Sequence, residues 1–60
     1  MSQLAVAELE VVYDALAEAI NQVGTDKESL FLTKLVLLLA NQVGEQAQVE
    51  EAIAIALCDL

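Results

Sequence analysis

Leu35-Val36-Leu37-Leu38-Leu39-Ala40-Asn41-Gln42-Val43-Gly44 is the most apolar stretch of the chain and lies near its middle. It closes on Asn-Gln-Val-Gly, a tetrapeptide already used at Asn21 to Gly24. Convergence on one good helix stop explains the repeat, because two copies do not make a solenoid. Upstream the stretch continues through Phe31, Leu32 and Lys34 as a single helical pattern. Lys27, Lys34 and Asn41 recur every seven residues and form one narrow polar stripe. Phe31, Leu32, Leu35, Val36, Leu38, Leu39 and Val43 occupy most of the remaining circumference, and Leu30 and Leu37 flank the stripe. A helix apolar most of the way round has to be covered most of the way round.

Outward from that helix, Gly44 ends it as Gly24 ends the helix before it. A glycine just past a helix end takes positive φ without a Cβ clash. Thr25-Asp26-Lys27-Glu28 has the spacing of a capping box, in which Thr25 and Glu28 satisfy each other's backbone amides. The first segment places Leu9, Val12, Tyr13, Leu16, Ile20 and Val23 at three- and four-residue steps, with Glu10, Asp14 and Glu18 opposite. Ser2 is its expected N-cap. The third segment places Val49, Ala52, Ile53, Ala56, Leu57 and Leu60 on one face, with Gln48, Glu50, Glu51 and Asp59 on the other. Val11 and Ile55 are apolar residues on otherwise polar faces.

The expected fold is all-α: one domain over 1–60, with helices at about 3–23, 26–43 and 45–58. The link of two or three residues predicts an antiparallel hairpin of the first two helices. A chain of 60 residues is marginal alone. It holds one cysteine, Cys58, and no His, so neither an internal disulfide nor a zinc site supports it. The expectation is therefore a homodimer or tetramer whose shared core is Phe31, Leu32, Leu35, Val36, Leu38, Leu39 and Val43, joined by Ile53 and Leu57. Lys34 and Asn41 are left for polar contact.

Charge narrows the partners. The ten acids against Lys27 and Lys34 give a formal charge of −8, which repels phosphate backbones and anionic membrane surfaces. A basic protein partner fits better. Met1-Ser2-Gln3-Leu4 lacks the basic start of a signal peptide, and Lys34 and Asn41 bracket an apolar run too short for a bilayer, so the expected location is the cytoplasm.

Catalytic chemistry finds little to use. With no His and no Arg, acid–base machinery is nearly absent, and the expectation is a non-enzymatic chain without cofactor or metal. The Glu10-Asp14-Glu18 ladder reads as a solvated face, since like charges four apart cost only a few tenths of a kcal/mol per pair. Cys58 sits beside Asp59, a setting that opposes a thiolate. An apolar small molecule held between the helices is an alternative to self-association.

Two resemblances add to this reading. Glu28-Ser29-Leu30, followed by Leu35-Val36, is similar to the prosthetic-group site of acyl carrier proteins. That likeness implies phosphopantetheine on Ser29. Glu28 stands where that family has Asp, and only a few residues precede the serine where the family has a long loop. The second resemblance is broader. Lys34 to Glu45, with Tyr13-Asp14-Ala15-Leu16 upstream and Glu50-Glu51-Ala52 downstream, resembles the core of a family of short bacterial proteins of unknown function. Their pattern is a basic residue, a Leu/Val run, Ala-Asn-His-Ile-Gly and an acid, and Gln42 stands at the His position. This resemblance implies a bacterial cytoplasmic helical protein and carries over no activity; the role expected from the residues is a small helical interaction module, an accessory or regulatory subunit.

Overall fold

The computed structural model describes residues 3–60. Three α-helices account for most of them: α1 (Val6–Val23), α2 (Glu28–Val43) and α3 (Gln46–Cys58). The all-α architecture follows from the three periodic segments, and no strand occurs among the described residues.

α1 begins later than the apolar pattern suggests. The expected cap at Ser2 lies outside the described residues, and Ala5 holds the N-cap position in an extended conformation. Alanine has no side-chain acceptor to offer. Glu8 supplies half of a capping box instead: the Ala5 backbone N–H donates to Glu8 Oε1 at 3.0 Å. The Glu8 carboxylate also lies in the first turn, where the helix dipole favours negative charge.

The two glycines end their helices differently. Gly44 is left-handed, with φ 73° and ψ 15°, and its N–H donates to the Ala40 carbonyl at 2.9 Å. Gly24 also has positive φ, 80°, but its ψ of 167° is extended, a combination that belongs almost only to glycine. Its N–H donates to the Ile20 carbonyl at 3.2 Å. Because Gly24 leaves in an extended direction, the chain enters a single 3₁₀ turn, Thr25–Lys27, closed by the Lys27 N–H on the Gly24 carbonyl.

That turn corrects the expected cap. Thr25 lies inside the 3₁₀ turn, Lys27 occupies the N-cap of α2, and neither Gly24 nor Lys27 makes a side-chain cap hydrogen bond. The Thr25–Glu28 box is not formed. Glu28 is the first residue of α2 and half-buried. At α3, Glu45 is the N-cap itself, and Gln46 Nε2 donates to Glu50 Oε2 at 2.6 Å one turn on.

α1 packs on α2 and α2 on α3, while no Cα of α1 comes within 8 Å of α3. Close approaches stay near the turns, so α1 and α2 meet at the Gly24 corner and then diverge. The hairpin is accordingly open, and not a side-by-side antiparallel pair along its length. Six of the half-buried apolar residues gather around that corner, Leu16, Ala19 and Ile20 before it and Phe31, Leu32 and Leu35 after it; the other two, Ala40 and Val49, flank the Gly44 turn.

No side chain among the described residues is fully buried. The radius of gyration is 12.6 Å, against about 10.4 Å for a close-packed domain of this length. The accessible surface is 5500 Å², where a folded monomer of the same mass exposes about 3,800 Å². One chain thus leaves about 1,700 Å² more surface in water than a self-sufficient domain does.

Candidate interaction surface

The left-handed Gly44 turn brings α3 back against the C-terminal half of α2. Between them runs an open groove of about 300 Å³. α2 contributes Val36, Leu39, Ala40 and Val43 to it; α3 contributes Val49, Ala52, Ile53 and Ala56. The positions are three and four apart on each helix, so each side of the groove is one helical stripe. Ala52 and Ala56 keep the α3 side shallow. Gln48 is the single polar residue of the lining, and no charged residue belongs to it.

The expected core residues separate into three groups. Phe31, Leu32 and Leu35 are half-buried in the N-terminal half of α2, the half nearer α1. Val36, Leu39, Val43 and Ile53 come together in the groove. Leu38 and Leu57, 67% and 66% exposed, belong to neither set. Leu38 stands with Lys34, Leu37 and Asn41 around a shallow hollow of about 420 Å³ on another side of α2. Two of the three polar-stripe residues, Lys34 and Asn41, thus line one hollow, flanked by exposed leucines.

Gln48 needs a correction. Its polarity assigned it to the outer face of α3, yet it is half-buried and lines the groove. Its position was readable from spacing, since Gln48, Ala52 and Ala56 are successive four-residue steps. Val49, Ala52 and Ala56 stood on the apolar face of the third segment but outside the expected core; the groove uses all three.

The remaining candidates stay on the surface. Cys58 is free and exposed. Ser29 is exposed in the first turn of α2. Glu10, Asp14 and Glu18 lie exposed along one side of α1, as does Val11, and Tyr13 on the apolar stripe is exposed as well. Among the described residues no group of three His, Cys, Asp or Glu side chains is placed to hold a metal ion. No helix among them is long and apolar enough to cross a membrane.

An arrangement of this kind offers apolar area and shape, without a convergent set of acids, bases or nucleophiles. No match is found among curated proteins or solved structures. A family model does match, that of a protein of unknown function (DUF2783), over residues 2–57. It spans nearly the whole chain and agrees with the resemblance to short uncharacterised proteins that Lys34 to Glu45 suggested. The chain is therefore a member of the DUF2783 family of proteins of unknown function.

Proposed function

We propose that this chain is a non-enzymatic helical interaction module that works as a homodimer or tetramer, an accessory or regulatory subunit of a cytoplasmic assembly. One observation carries the reading: about 1,700 Å² of surface beyond that of a self-sufficient monomer, together with the lack of any fully buried side chain among the described residues. Two chains each losing that area would bury about 3,400 Å² in total, within the range of obligate homodimers. The groove supplies the apolar part of such an interface, and the sequence, without His or Arg, offers little acid–base machinery. A basic protein remains the heterologous partner that the −8 charge favours. The test is thermal unfolding at several protein concentrations. An obligate assembly melts higher as concentration rises, while a monomer melts at one temperature.

A second reading has its own observation. The α2–α3 groove is apolar and reaches the lower end of the size range of small-ligand sites. An apolar molecule seated there would cover Val36, Leu39 and Ile53 without a second chain. Native mass spectrometry of protein from its own host reads this directly, since a retained ligand adds mass to the single chain.

A further inference from the structure

We infer that the groove between α2 and α3 receives the N-terminal half of α1 from a second copy of this chain, through Leu9 and Val12, in a reciprocal two-fold dimer. The inference rests on the self-association proposed above and names which surfaces meet.

Two apolar faces of the chain are left uncovered. Along the apolar stripe of α1, Leu16 and Ile20 are half-buried at the Gly24 corner, but Leu9 and Val12 are each 52% exposed. α2 shields one end of that stripe and diverges from the other. The α2–α3 groove is the complementary case: two helices side by side with no third helix over them. A ridge of side chains on a helix is what fits a groove between two others. Leu9 to Leu16 spans seven residues, about 10.5 Å of helix, and Val36 to Val43 spans the same length.

Charge favours the same pairing of faces. With ten acids and two lysines, most surfaces of this chain repel a second copy. The groove lining contains no charged residue. On α1, Glu10, Asp14 and Glu18 lie on the side away from Leu9, Val12 and Leu16. Docking these two faces therefore keeps that acid ladder in water, at the rim of the dimer or beyond it.

Geometry decides which copy supplies the helix. Within one chain no Cα of α1 approaches α3 within 8 Å, because α1 and α3 contact different parts of α2. The extended Gly24 and the 3₁₀ turn set that separation. Between two copies the exchange closes on itself. Each gives one helix end and one groove, so a two-fold axis satisfies both without leaving an open end for further growth. The excess surface of about 1,700 Å² per chain leaves room for an interface of the obligate class, to which this contact would contribute the apolar centre.

The experiment uses full-length chains in a Cys58→Ser background. One preparation carries Val12→Cys and the other Ile53→Cys; they are mixed and equilibrated in a glutathione redox buffer. A parallel mixture pairs Val12→Cys with Leu38→Cys, on the other side of α2. Disulfides need Cα atoms within about 7 Å, so trapping reports position. The unmodified chain supplies a readout that needs no substitution: isotope-filtered methyl NOEs between Val12 and Ile53 in a mixed-label sample. The inference expects a dimer by sedimentation, the 12–53 link between chains in preference to 12–38, and the intermolecular NOE. A dimer lacking both the 12–53 link and the NOE overturns this docking and leaves self-association standing. A monomer at micromolar concentration overturns both.

Discussion

Val36 of α2 and Ile53 of α3 line one groove from its two sides, 47% and 49% exposed. In a self-sufficient domain two such residues, close to a turn that brings their helices together, would be the centre of the core. Here they are its open edge. That half-finished packing is the basis of the account, and most of its consequences concern what completes it.

Leu39 lines the groove from the α2 side and is 55% exposed. A Leu39→Asp chain would place a carboxylate at the contact. An uncompensated acid there costs about 3 kcal/mol, so association should weaken by at least about a hundredfold. Because folding and association are coupled, helicity should fall in parallel. Far-ultraviolet circular dichroism alongside sedimentation checks both, and full helicity in a monomeric Leu39→Asp chain would separate what the account joins. Leu35→Asp, at the Gly24 corner, should have the same double effect.

Ionic strength gives a second expectation. Two chains of charge −8 repel one another, and added salt shortens the screening length from about 10 Å at 0.1 M to about 3 Å at 1 M. Association between the uncharged faces should tighten as sodium chloride rises across that range. The dissociation constant from sedimentation velocity at three salt concentrations reads the sign. A weaker assembly at high salt would point to an interface held by ion pairs through Lys27 or Lys34.

The glycines should not be equivalent. An added Cβ at Gly24 meets nothing within 4 Å, and at Gly44 only the Asn41 carbonyl oxygen at 4.0 Å, so the cost at each is backbone conformation. Gly44 is left-handed, a region alanine enters at about 1–2 kcal/mol and asparagine enters more easily. Gly24, at φ 80° and ψ 167°, lies where other residues pay about 1–3 kcal/mol and asparagine gains no advantage. Thermal melts at fixed protein concentration should therefore show Gly44→Asn partly tolerated and Gly24→Asn as damaging as Gly24→Ala.

Glu8 closes the N-terminal end of α1 without help from Ala5. Glu8→Ala should cost about 0.5–1 kcal/mol and fray the first turn. Glu8→Gln keeps an acceptor for the Ala5 amide and should retain most of the cap. Amide hydrogen exchange at Ala5 to Leu9 distinguishes the two variants, and equal protection in both would remove the cap assignment.

Much of this architecture could be read from the chain, and the exceptions have physical causes. Leu16, Ile20, Phe31 and Leu35 declare their helices through three- and four-residue spacing, and Gly24 and Gly44 end them because positive φ is cheap for glycine. Thr25 misleads because its spacing from Glu28 fits a capping box, while the cap is made or lost by the backbone at Gly24. That extended glycine diverts the chain into a 3₁₀ turn and carries Thr25 past the cap position. Gln48 misleads because polarity outweighed spacing in assigning its face. Val36, Leu39 and Ile53 were legible as residues needing cover. Which surface covers them is a property of two chains, and a periodic pattern in one chain records only the need.

The most direct test of the central claim, that one copy of this chain is an incomplete fold, is its mass in solution by sedimentation equilibrium at micromolar concentration. The account predicts about 12.8 kDa for the two-fold dimer or twice that for a dimer of dimers, with the 6.4 kDa species appearing only as helicity is lost on dilution. A fully helical, cooperatively melting species of 6.4 kDa at that concentration would contradict it.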